Sequence, residues 1–139
     1  MPESIDKLVL ELDEVKSKFP ELLGLVIVND EGLVLFSSLA EEEDEGAYAA
    51  AVGECLLGGT RIASLFDAGG TEVMMLSFKD SFFIFFPLEL GFTLFVRYPS
   101  RIRLGFALTS IELIAHRLNT ILKGMETSQE MEAPLGAGE

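Results

Sequence analysis

Reactive chemistry in this chain would have to come from a short inventory: one cysteine, Cys55, one histidine, His116, an acidic run Glu41-Glu42-Glu43-Asp44-Glu45, and two Gly-Gly-Thr segments. A thiol is a nucleophile only as the thiolate, which needs a nearby cation or helix N-terminus, and Cys55 sits on the apolar side of a helical stretch where a buried thiol behaves as a small hydrophobe. His116 follows Glu112 by one helical turn on a polar face and reads as a surface residue. The acidic run lacks the spaced oxygen ligands and turning glycine of a calcium loop, so it reads as a solvated loop that places negative charge at the next helix N-terminus. Gly58-Gly59-Thr60 and Gly69-Gly70-Thr71 carry neither the lysine of a phosphate-binding loop nor the three-glycine spacing of a dinucleotide turn. No histidine or cysteine pair has metal-ligand spacing. The expectation is a protein that is not an enzyme and carries no metal or cofactor.

Composition narrows the partners. A formal charge of -13 argues against nucleic acid and anionic membranes, both of which need clustered cations, and Arg97, Arg101 and Arg103 make only a weak patch. The uninterrupted apolar stretches are shorter than a membrane span requires, the first residues are acidic where a signal peptide would be basic, and a lone cysteine supports no disulfide framework. A soluble cytoplasmic protein without membrane insertion is expected.

The elements that would position these residues follow from periodicity. Ile5, Leu8, Val9, Leu12, Val15 and Phe19 recur at helical steps, with Ser4 as N-cap and Pro20 as terminator. Leu23 to Val28 and Leu33 to Phe36 read as a hairpin around Asn29-Asp30-Glu31-Gly32. A second helix is expected from Gly46 or Ala47 to Ser64. Its core face would hold Tyr48, Val52, Cys55, Leu56, Gly59, Ile62 and Ala63, and its outer face Ala47, Ala50, Ala51, Glu54, Leu57, Gly58 and Arg61. Three strands follow at Thr71 to Phe78, Phe82 to Leu88 and Phe92 to Tyr98. Phe82-Phe83-Ile84-Phe85-Phe86 does not alternate with polar residues, so both sheet faces must be covered. A last helix from Arg101 to Met125, with Ser100 as N-cap, completes a domain of residues 1-124. Residues 125-139 read as an acidic tail without fixed structure. The fold class is thus α/β in the wide sense, of α+β type, in the order α-β-β-α-β-β-β-α.

The segments Gly24 to Val34, Ala47 to Ser64 with Arg61, Asp67 to Met74, and Phe85-Phe86-Pro87-Leu88, in this order and spacing, resemble the roadblock family, which includes dynein light chains and the bacterial polarity regulator MglB. The resemblance covers roughly residues 5 to 123. It implies a profilin-like five-stranded antiparallel sheet between one helix on one face and two on the other. It also implies a homodimer joined through the third strands, and a role in regulating a small Ras-like GTPase. That role includes activation without an arginine finger; the alternative it implies is a non-catalytic adaptor of a larger complex.

The residues supply their own reason for pairing. Val73, Met74, Met75 and Leu76 would leave an apolar sheet edge open to association. Small residues on the outer face of the second helix permit close helix approach. Two copies crossing antiparallel near Leu57 and Gly58 would bring Glu54 of each against Arg61 of the other; the alternative is that both are solvated. The expected dimer surface is therefore Val73, Met74, Met75, Leu76, Ala50, Glu54, Leu57, Gly58 and Arg61, and the expected partner-binding set is Ala47, Ala51, Glu54 and Arg61. Phe106 and Leu113, opposite the main stripe of the last helix, either pack on the first helix, which is the favoured expectation, or are exposed for a partner.

Overall fold

The structure is a computed structural model that describes the backbone of residues 2–137 and the side chains of residues 6–124. Its elements are α1 (Pro2–Lys18), β1 (Gly24–Val28), β2 (Val34–Leu39), α2 (Glu45–Phe66), β3 (Met74–Ser77), β4 (Ser81–Pro87), β5 (Thr93–Pro99) and α3 (Leu104–Ala137), with one 3-10 turn at Glu89–Gly91. All strand pairs are antiparallel, in the order β2-β1-β5-β4-β3. The fold is the expected α+β arrangement.

Strand alternation sorts side chains between two cores. Leu25, Ile27, Ile84, Leu94 and Val96 point toward α1 and α3, where they meet Leu8, Leu12, Val15, Ile111 and Leu118. Val26, Val28, Phe85 and Phe95, one residue out of phase, point toward α2 and meet Tyr48, Val52 and Cys55. Both faces of the central strands are therefore buried, which is why β4 and β5 read as continuous apolar runs.

Several boundaries differ from expectation. α1 begins at Pro2, so Ser4 lies within it and not at its cap. Val9 is off the buried stripe and exposed. β2 runs on to Leu39, because pairing with β1 continues through Ser38 to Gly24 and a ladder is indifferent to side-chain polarity at an edge. β3 is shorter, four residues, since the chain from Thr71 to Val73 is not yet paired with β4. α3 starts at Leu104, after turns at Pro99–Ile102, so Ser100 does not cap it; its amide bonds the Asp80 carbonyl instead. The expected tail at 125-139 lies outside the residues whose side chains are described.

Candidate protein-interaction surface

α2 is fixed at both ends by local chemistry. Asp44, extended at its own φ and ψ, accepts a hydrogen bond from the Gly46 amide as N-cap, and Glu45 occupies the first turn, where negative charge favours the exposed amides. At the other end Asp67 turns left-handed and the Ala68 amide closes onto the Ala63 carbonyl. Between these caps only Tyr48, Val52, Cys55 and Gly59 are buried, at steps of four, three and four, which defines a single narrow inner stripe.

Tyr48 shows how that stripe is seated. Its ring passes over β1 at Gly24, where a Cβ would collide with the phenol oxygen at 2.3 Å. Its hydroxyl donates to Glu43, whose carboxylate also takes two hydrogen bonds from Arg97 Nη1, at 2.8 and 3.0 Å. Arg97 lies over the Phe83 ring, 5.5 Å from its centroid, and its Nε donates to Ser81. Burial pushes the Glu43 carboxyl up, but the hydrogen bonds from Tyr48 and Arg97 and the charge of Arg97 outweigh it and hold the group below its ordinary value. The acidic run thus divides: Asp44 and Glu45 serve the helix N-terminus as expected, whereas Glu43 clasps the loop onto β5 and is not solvated. Arg97 is removed from the basic patch by the same contact.

Cys55 is buried, and burial together with the charge of Glu54 raises its pKa, which leaves the thiol protonated and unreactive. His116 is exposed on α3. Among the described residues no three His, Cys, Asp or Glu side chains lie together as a metal site. The first Gly-Gly-Thr segment lies inside α2, and the second is the loop before β3.

The outer side of α2 is open. Ala47, Ala50, Glu54, Leu57 and Arg61 are exposed, and Gly58 is half-buried. Ala51 differs from expectation: it is half-buried and packs against the core beneath α2, one turn before Cys55. Leu56 and Ile62, expected in the core, are 40% and 59% exposed. The buried side chains beneath α2 come from β1, β4 and β5, with Met74 of β3 at their margin, and they cover the inner stripe while leaving the flanking positions overhanging. Leu65 and Phe66, beyond the expected helix end, are the most exposed large apolar residues of the chain's described part, at 78% and 75%. By length and composition α2 could cross a membrane, with an 18-residue window of mean hydropathy 1.2. Yet Glu54 and Arg61 stand mid-helix and the inner stripe rests on the sheet.

Two neighbouring glycines separate what the chain itself needs from what it does not. A Cβ on Gly59 would lie 2.5 Å from Thr71 Oγ1 and 3.3 Å from Met74 Cε, so this glycine lets the segment leading into β3 press against α2. A Cβ on Gly58 would meet nothing within 4 Å. Glycine within a helix costs about 0.5–1 kcal/mol relative to alanine, and at Gly58 no contact among the described residues accounts for it.

β3 adds the edge. It pairs with β4 alone, through Met74↔Phe85 to Ser77↔Phe82. Met74 is half-buried and packs toward α2, while Val73, just outside the strand, and Met75, Leu76 and Phe78 are exposed. An apolar edge strand with unpaired backbone groups therefore runs beside a helix whose outer face is apolar and small. The sequence model of the Roadblock/LC7 domain matches residues 7–97. The chain belongs to the Roadblock/LC7 family. Among solved structures its fold is similar to Myxococcus xanthus MglB, with a TM-score of 0.77 at 15% identity over 86% of this chain and 90% of that one. It is also similar to the gliding protein MglB of Thermus thermophilus, with a TM-score of 0.73 at 13% identity over 87% and 92%. A Roadblock/LC7 domain from Streptomyces avermitilis aligns with a TM-score of 0.58 at 16% identity over 79% and 96%. At these identities the likeness shows the fold alone. A search of curated proteins by sequence finds no match.

Proposed function

We propose that this Roadblock/LC7 chain is a homodimeric regulator of a small Ras-like GTPase, acting through surface shape and not through a catalytic side chain of its own. The observation that carries the pairing is the open edge of β3 beside the outer face of α2: backbone groups of Met74–Ser77 without a second strand, and apolar Leu57, Met75 and Leu76 at the surface. Joining two β3 strands would extend the sheet across a two-fold axis and set the two α2 helices side by side. Gly58 supports the reading, because an open glycine on an outer helix face admits a second backbone.

The GTPase assignment is drawn from the resemblance to MglB-like members of the family. It fits a platform of paired α2 helices bearing Glu54 and Arg61, neither of which makes a salt bridge among the described residues. The arginine of this platform, Arg61, is held within α2, and in this reading activation works by ordering the GTPase's own groups.

The test is single-turnover GTP hydrolysis by a small Ras-like GTPase of the same organism, with and without the protein. The expected result is acceleration of about tenfold or more, short of the roughly 10³-fold or greater effect of an inserted arginine finger. A nucleotide-dependent complex without acceleration would make the chain an adaptor. Binding that ignores the nucleotide, or no binding, would overturn the GTPase assignment.

A further inference from the structure

The face of the molecule opposite α2 carries a second surface that the pairing does not use. Phe106 and Leu113, seven residues apart on α3, do not pack away against α1 as the sequence suggested. Phe106 touches the Phe19 ring, with centroids 5.7 Å apart, yet remains 59% exposed, and Leu113 is 54% exposed. Together with Val15, Phe19 and Ile102 they line a groove of about 430 Å³ between α1 and α3. Seven residues of helix span about 10 Å, two turns, which is the footprint of a short helix presenting apolar side chains at three- and four-residue steps.

Charge selects the occupant. The α1 side of the groove bears Glu11, Glu14 and Glu21 against Lys18, and Arg117 on α3 is engaged by Glu11 at 3.2 Å and Glu14 at 4.0 Å. The chain's own C-terminal segment, residues 125–139, carries Glu126, Glu130, Glu132 and Glu139 and no basic residue. That segment is repelled by a lining whose three acids outnumber Lys18 and Arg117, the proposed pairing of two copies uses the β3 and α2 side instead, and a cationic partner is attracted to a chain of formal charge -13. We infer that the α1–α3 groove is a docking site for a basic amphipathic helix of another protein, with its apolar stripe on Phe106 and Leu113 and its cations toward Glu11, Glu14 and Glu21.

The probe is a fluorescein-labelled peptide with leucine at alternating three- and four-residue steps and lysine elsewhere, and a twin with glutamate in place of lysine. Anisotropy is read at about 150 mM salt, where long-range attraction is largely screened. The lysine peptide is expected to bind the full chain and the glutamate twin not to bind. The double variant Phe106→Ser, Leu113→Ser, at two exposed positions, is expected to lose affinity about tenfold or more. Leu33→Ser, an exposed leucine in the β1–β2 turn, should leave it unchanged. Equal loss in both variants, no loss in the groove variant, or binding of neither peptide would overturn the proposal. So would a groove variant that lowers the oligomeric mass of the protein, because the occupant would then be a second copy.

Discussion

Glu43 sits where one side chain decides the seating of a whole loop. Its carboxylate holds Arg97 and Tyr48, residues from β5 and α2, with side-chain exposures of 13% for Glu43 and 24% for Arg97. Because its pKa is lower in the folded state than in the unfolded chain, the unfolded chain binds the proton more tightly. The stability it contributes is therefore present above the ordinary glutamate range and is lost as pH falls through the folded value. Glu43→Gln is expected to lower stability by about 1–2 kcal/mol at pH 7, with the difference from wild type shrinking below about pH 4. Thermal melts of both proteins across that range check it. None of this was legible in the sequence, where Glu43 is one of five consecutive acids and Arg97 lies 54 residues away; only the sheet order brings them together.

α2 is the element on which sequence and structure agree in outline and part in detail. The negative charge at its start, its inner stripe of Tyr48, Val52, Cys55 and Gly59, and its small outer residues follow from local spacing, while the capping roles of Asp44 and Asp67 emerge from the structure. Leu56 and Ile62 do not, because a helical projection places them beside the core stripe and only the width of the sheet beneath decides whether they are covered. The same holds for Phe106 and Leu113 on α3, whose surroundings depend on how far α1 extends over them. At the pairing surface, Gly58→Ala is expected to stabilise the isolated chain by about 0.5–1 kcal/mol while weakening self-association several-fold, about 1 kcal/mol of steric cost. Urea unfolding in a monomeric background and sedimentation at graded concentrations read the two effects separately. If Glu54 and Arg61 pair across the two-fold axis, Glu54→Arg weakens association by about 1 kcal/mol, and adding Arg61→Glu restores it. A double variant as weak as the single one would reject that pairing.

At the scale of the molecule, the sheet ends in two edge strands, β2 and β3, and its unfinished side is the β3 one. α1 and α3 cover one face with a large core, and the β3 edge carries exposed Met75 and Leu76 beside the exposed outer face of α2. The unbroken apolar run of β4 made the two-sided core legible in advance, and the family resemblance supplied the five-stranded antiparallel sheet, whereas the order of strands within it was not legible. Self-pairing through this unfinished side is the central claim, and molar mass by light scattering on a size-exclusion column tests it most directly. The wild-type chain is expected to elute at twice its own mass at micromolar concentration, and the Met75→Lys, Leu76→Lys variant, folded by circular dichroism, at the mass of one chain. A wild-type mass of a single chain across the accessible concentrations, or a charged-edge variant that keeps the wild-type mass, would contradict it.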